Sequence, residues 1–221
     1  MIVLSLSIPF IPVGISTLQR PIMTDKQQLP IINAQNRVAK SRLFSIEQLD
    51  LTFSNGEQRQ YERMLGSGSG AVMIVPMLDA NTMLLVREYC AGTHSYELGF
   101  PKGLIDKGEL APEAANRELK EEIGYGAQQL TSIRDVMMAP AFFNAKMTIF
   151  LAQDLYQEKL EGDEPEPLAV VPWKLDDYQA LLDEPNFNEA RSVAALMLIK
   201  DYFVKQATGN SNKSNQFRES L

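Results

Sequence analysis

The alternation of apolar and polar positions divides the middle of the chain into strands and turns. Residues 45–53, SIEQLDLTF, alternate with the period of a strand that buries one face. Asn55-Gly56 follows, a pair suited to a tight hairpin turn, so 58–65, QRQYERML, is the expected returning strand. Residues 66–70, GSGSG, read as a flexible hinge. The run AVMIVPML at 71–78 is apolar throughout and predicts a strand buried on both faces. Asp79-Ala80-Asn81 turns the chain into TMLLVREY at 82–89, a second buried strand, and 92–95 is a loop. Between Pro112 and Gly124 the period becomes helical. Ala115, Leu119 and Ile123 recur every four residues, with proline placed to open the helix and glycine to close it. TSIRDVMMA (131–139) and KMTIFLAQDL (146–155) predict two further strands. DDYQALLD (176–183) and 188–206 predict helices, the second capped by Asn188. Strands and helices in this mixed order predict an α/β (α+β) sandwich around a mixed sheet.

The ends differ from the middle. Residues 1–15 are apolar, but Pro9, Pro12 and Gly14 interrupt them and no basic residue precedes Arg20. A spanning helix needs about 20 mostly apolar residues and a secretory leader needs a basic start, so neither is expected. The abrupt change to polar composition at Met23 suggests that translation starts there. Residues 1–35 are therefore expected to be a disordered or mis-assigned extension, 36–206 one domain, and 207–221, polar and without helical period, a disordered tail.

Composition narrows the chemistry. The net charge of −7, from 21 basic and 28 acidic residues, argues against a duplex-binding protein that gains affinity by neutralising phosphates. It leaves a phosphate substrate open, because a bound cation reverses the local sign. The one cysteine, Cys90, excludes an internal disulfide and suits a reducing compartment, so a cytoplasmic location is expected, with no membrane or nucleic-acid partner. With a single histidine, His94, the chemistry must rest on carboxylates.

The segment that offers them is GLIDKGELAPEAANRELKEEIGY, residues 103–125. At about 100° per residue, Glu118, Glu121 and Glu122 fall in one sector of the helix. Their mutual repulsion would become coordination around a hard divalent cation, which prefers oxygen ligands. By charge alone the same face could simply be solvated, and Glu113 offers Arg117 an ordinary surface partner one turn away.

The spacing distinguishes the two readings. Gly103, Glu109, Arg117-Glu118-Leu119, Glu121-Glu122 and Gly124 match the signature of the Nudix hydrolases at every charged and glycine position, with Tyr125 where an aliphatic residue is usual. The chain is accordingly identified as a member of that family. The resemblance implies a Nudix-type α/β/α sandwich with a mixed β-sheet and N-terminal antiparallel strands. It also implies Mg²⁺ or Mn²⁺ as cofactor and hydrolysis of a nucleoside diphosphate linked to a second moiety. Carried onto this sequence, it makes Glu118, Glu121, Glu122 and the Lys102 carbonyl metal ligands, has Arg117 orient a glutamate, and has Glu109 support the loop.

Outside that box the chain resembles the branch that cleaves ADP-linked compounds. Pro140 lies fifteen residues past Tyr125, and the acidic stretch 160–173, LEGDEPEPLAVVPW, places Glu164 as a base and Glu166 as a further ligand. This branch implies ADP-ribose, NADH and diadenosine polyphosphates as substrates, with AMP released, and a homodimer as the working form. Phe44, Glu62, Arg63 and Arg87 are its candidate substrate contacts, although the Glu62-Arg63 order is reversed. Arg87-Glu88-Tyr89-Cys90 lacks the second basic residue usual there, and Glu97 to Gly103 is two residues longer than usual. Both departures favour a broad range of ADP compounds over strict ADP-ribose specificity. The alternatives are a hydrolase of nucleoside triphosphates, a nucleotide-binding module without catalysis, or a scaffold.

Overall fold

The computed structural model describes residues 28–66 and 68–216. The proposed start at Met23, the apolar segment before it and residues 217–221 lie outside the described residues. The first strands are β1 (Ile31–Lys40), β2 (Ser45–Thr52) and β3 (Gln58–Met64), which pair antiparallel in sequence. Gly56, at φ 83°, makes the β2–β3 turn that Asn55-Gly56 predicts. β4 (Ala71–Asp79) and β5 (Thr82–Cys90) form the next antiparallel pair, and β6 (Ser95–Gly99) returns beside β5. The short β7 (Lys102–Leu104) pairs with β4 and delivers the chain to α1 (Ala111–Glu122). β8 (Tyr125–Ala139) and β9 (Phe143–Gln157) form a long hairpin, and β10 (Ala169–Lys174) pairs with β5. A 3₁₀ turn (Leu175–Asp177), α2 (Tyr178–Leu182) and α3 (Ala190–Gln216) complete the order.

The sheet is mixed, because β4 runs parallel to β9 and antiparallel to β5. The apolar run of β4 is explained by its central position. Val72 and Ile74 face a core with Ala115 and Leu119 of α1 and Ile123 at its C-terminal cap. Met73, Val75 and Met77 face the opposite core, with Leu181 of α2 and Leu196 and Ile199 of α3. Helices on both faces make the α/β/α sandwich expected from the sequence. Gly124, at φ 73°, ends α1 in the left-handed conformation that favours glycine.

Four sequence expectations are corrected. β1 begins at Ile31, ahead of the boundary placed at residue 36, and pairs along β2 from Ile31↔Thr52 to Lys40↔Ser45. β10 is a strand within the stretch expected to be an acidic loop; Pro172 is tolerated in it because β10 is the last strand of the sheet path. Asn188 does not cap α3: its side chain donates to the Pro185 carbonyl at 3.0 Å, while the Glu189 carbonyl accepts from the Val193 N–H. α3 runs on to Gln216, ten residues into the expected tail, where no proline stops propagation of an established helix. The glycine-rich hinge is also tied down, since the Gly66 N–H donates to Asn144 Oδ1 at 2.7 Å.

Candidate active site

Strand β7, helix α1 and the segment between β9 and β10 enclose an open cleft of about 900 Å³. Lys102, Arg117, Glu118, Glu121, Glu122, Glu164 and Glu166 all line it, so seven of the residues singled out in the sequence converge.

Arg117 organises one wall. Its Nε and one terminal nitrogen clasp Glu109, at 2.9 and 3.0 Å. Its other terminal nitrogen donates to Glu118 at 2.8 Å and Glu121 at 2.9 Å, and the Leu104 carbonyl accepts a fifth bond at 2.9 Å. A planar cation with five donors can hold three carboxylates and a main-chain oxygen together, which a single ammonium cannot. Glu109, chiefly through its bonds to Arg117, is held below the usual carboxylate range and raises the guanidinium pKa in return. Glu109 also accepts the Asp106 N–H at 3.0 Å, so it fixes the loop ahead of α1. Glu113 is not the partner of Arg117; it accepts the Leu110 N–H at the helix start.

The second wall is carried by Glu122. Its Oε1 accepts the Lys102 main-chain N–H at 3.3 Å, and its Oε2 is buried without a hydrogen-bond partner among the described residues. Burial pushes its pKa up to about 8, with Lys102 opposing the shift and Glu118 adding to it. Glu118 is likewise raised, first by burial and against the pull of Arg117. Gly103 is required here because the Glu118 carboxylate lies where a Cβ on residue 103 would stand.

The Lys102 side chain is mostly buried. Its ammonium makes an ion pair with Glu88 of β5, and both side chains are mostly buried. Burial opposes its charge, but Glu88, Glu122 and Glu189 outweigh that and hold its pKa above the usual value. Glu164 is raised by burial and by the neighbouring charges of Glu88 and Asp163. Glu166 accepts a hydrogen bond from the Tyr96 hydroxyl.

Of the four candidate substrate contacts, none lines the cleft within this chain. Phe44 is exposed beside the Ser41–Phe44 turn, whose hydroxyl and main chain cross-bond. Arg63 is committed to Glu47, at 2.7 and 2.8 Å, and Glu62 stands opposite Gln48 on the outer strands. Arg87 sits on β5 between Ala169 and Leu98. Their separation follows from topology, because β1–β3 extend the sheet beyond β9, away from β7 and α1. Cys90 is partly buried, and burial raises its thiol pKa, consistent with a packed residue and not a nucleophile.

Sequence reading missed Glu47 and Glu88. Both had a signal: Glu47 is in phase with the buried Leu49 and Leu51, and Glu88 with the buried Leu84 and Val86. A charge repeated on an apolar face needs a partner, and the partners are Arg63 and Lys102.

The donors are all oxygens, and one of them, Glu122 Oε2, is buried and unpartnered, a set that fits a hard divalent cation. Among the described residues no three acidic or other ligating side chains are already gathered at ligand distance, and Arg117 holds Glu118 and Glu121. Binding a cation would therefore compete with that guanidinium for the two carboxylates.

Comparison with known proteins agrees with this geometry. Residues 30–63 match the NudE-type Nudix hydrolase N-terminal domain and residues 69–197 the NUDIX domain. The chain is 55% identical over 184 residues to the ADP compounds hydrolase NudE of Escherichia coli, covering 83% of this chain and 98% of that protein. It is 28% identical over 171 residues to the ADP-ribose pyrophosphatase of Bacillus subtilis, covering 75% and 92% of the two chains. A crystal structure of an ADP compounds hydrolase superposes with a TM-score of 0.78 at 55% identity, over 83% of this chain and 98% of the other.

Proposed function

The chain belongs to the Nudix hydrolases, and from that premise we propose that it hydrolyses the pyrophosphate bond of ADP-linked compounds and releases AMP. The observation that supports this most is the convergence in one cleft of the three box glutamates, the Arg117 clasp on Glu118 and Glu121, and the Glu164 loop. A module that only binds nucleotides would have no use for a complete carboxylate set held in this way.

Water adds to one phosphorus of the pyrophosphate, the bridging P–O bond breaks, and the departing phosphate oxygen carries away the electron pair. Glu118, Glu121, Glu122 and the Lys102 carbonyl would hold the divalent cation, with Glu166 as a further ligand. Such a cation, Mg²⁺ or Mn²⁺ in this reading, screens the pyrophosphate charge and acidifies water. Glu164 accepts the proton of the attacking water; its raised pKa favours that role over that of a fully solvated carboxylate. Arg117 keeps Glu118 and Glu121 in register, and a cation would compete with its guanidinium for their oxygens. Gly103 leaves room for Glu118 to stand against β7.

ADP-ribose, NADH and diadenosine triphosphate are the proposed substrates, and the cytoplasm the proposed location. Among the described residues no helix is long and apolar enough to cross a membrane. A homodimer is the proposed assembly. Ile31, Ile32 and Tyr61 of the outer strands and Phe44 of the β1–β2 turn are exposed in the single chain, a surface that a partner copy would cover. Phe44, Glu62 and Arg63 would then reach substrate only across such an interface. The test is a panel of these substrates and nucleoside triphosphates, with Mg²⁺ or with chelator, reading AMP and the second product. Metal-dependent AMP release from ADP compounds is expected; preferential attack on triphosphates would overturn the assignment.

A further inference from the structure

The Lys102 ammonium lies within electrostatic reach of Glu122, yet Glu122 Oε2 stays buried without a hydrogen-bond partner. The nearest available cation is withheld from it, because Glu88 takes the ammonium in an ion pair of two mostly buried side chains. The hydrogen bond from residue 102 to Glu122 is made by the main-chain N–H.

The geometry points to Glu88 as a positioning residue for the cation site: it holds the Lys102 ammonium aside so that Glu122 keeps an open oxygen. This inference rests on the reading of the box glutamates as ligands. The charges around Lys102 come from four elements: Glu88 on β5, Glu122 on α1, Glu189 at the start of α3, and Glu164 on the cleft loop, whose own shift registers both Glu88 and Lys102. Of these, Glu88 alone hydrogen-bonds the ammonium. Glu189 is engaged by Ser192 and Arg191.

Without the Glu88 charge, the buried ammonium would turn to Glu122. It would occupy the oxygen meant for the cation and repel a divalent ion nearby. With neither charge present, Glu122 would be open again. With Lys102 alone neutralised, the site would carry one more uncompensated negative charge and its main-chain carbonyl would be unchanged.

The order of affinities therefore tests the inference. Mn²⁺ binding to the full chain, without substrate, is titrated by the electron paramagnetic resonance of free Mn²⁺. Glu88→Gln is expected to weaken binding about 10-fold or more, the size typical of a lost partner behind a metal ligand. Glu88→Gln with Lys102→Met should restore the parent affinity, and Lys102→Met alone should bind at least as tightly as the parent. A merely structural role for Glu88 would lower the unfolding temperature together with the affinity, so thermal unfolding of each variant is measured beside the titration. Parent-like binding by Glu88→Gln, no rescue in the double variant, or weaker binding by Lys102→Met would each overturn the inference. Should Glu88→Gln fail to fold, the Lys102→Met comparison still decides it. If the parent chain binds no Mn²⁺, the ligand reading beneath the inference falls as well.

Discussion

The Glu118 carboxylate occupies the space that a side chain on Gly103 would fill, so the first glycine of the box and the acid that follows its arginine are one geometric unit. Strand β7 sets the position of Gly103 through Val72↔Gly103 pairing with β4, and α1 brings Glu118 over it. The motif spacing of fifteen residues is thus a through-space contact. Gly103→Ala should displace Glu118 from this position. A loss of turnover on the order of 10–100-fold is expected, the range seen when groups supporting a metal site are disturbed. Steady-state kinetics with matched far-ultraviolet circular dichroism checks it; parent-like activity would show that Glu118 need not stand there.

Arg117→Lys separates charge from geometry. A lysine keeps the positive charge but cannot hold Glu109, Glu118, Glu121 and the Leu104 carbonyl at once. It should lower kcat/KM about 10–100-fold, with the loss shared by Mn²⁺ affinity. Unchanged kinetics would mean that the clasp is only a surface ion pair.

The acidic helix, its proline start and its glycine end were legible because each depends on residues close in sequence. The buried core of β4 was legible too, since an eight-residue apolar run admits few other fates. The long-range pairs were not. The partner of Glu88 is fixed only when β7 docks on β4 through Met73↔Lys102, and that of Glu47 only when β3 returns beside β2. Their phase among apolar positions announces a buried charge without naming what neutralises it. β10 escaped notice because Pro172 breaks the usual strand signal, a penalty that an edge position removes. Phe44, Glu62 and Arg63 were expected beside the substrate, and the topology of the single chain sets them apart from the cleft.

Glu164→Gln tests the proton acceptor. Losing a general base costs about 10²–10⁴ in rate. The fall should appear in kcat, with Mn²⁺ affinity changed far less, because Glu164 is not among the proposed ligands. A loss confined to metal affinity would reassign Glu164 as a ligand and return the base to the helix glutamates.

Leu119→Ala tests the platform beneath the site. Leu119 is fully buried against β4, between the two acids that flank it in sequence by one and two positions, Glu118 and Glu121. Removing a buried leucine side chain costs about 2–5 kcal/mol. Chemical denaturation should show that loss, and activity should fall with the folded fraction and no further at temperatures where the variant stays folded. A cost below about 1 kcal/mol would mean α1 is held mainly by its charges rather than by its apolar stripe.

The account stands or falls with Glu122, a cleft acid whose buried Oε2 has no hydrogen-bond partner among the described residues. The most direct measurement is AMP release from ADP-ribose with saturating Mg²⁺, by the parent and by Glu122→Gln, each shown to be folded. The parent is expected to release AMP only when the cation is present, and the variant to release essentially none. Hydrolysis by Glu122→Gln at the parent rate would contradict the assignment of this helix as the catalytic centre.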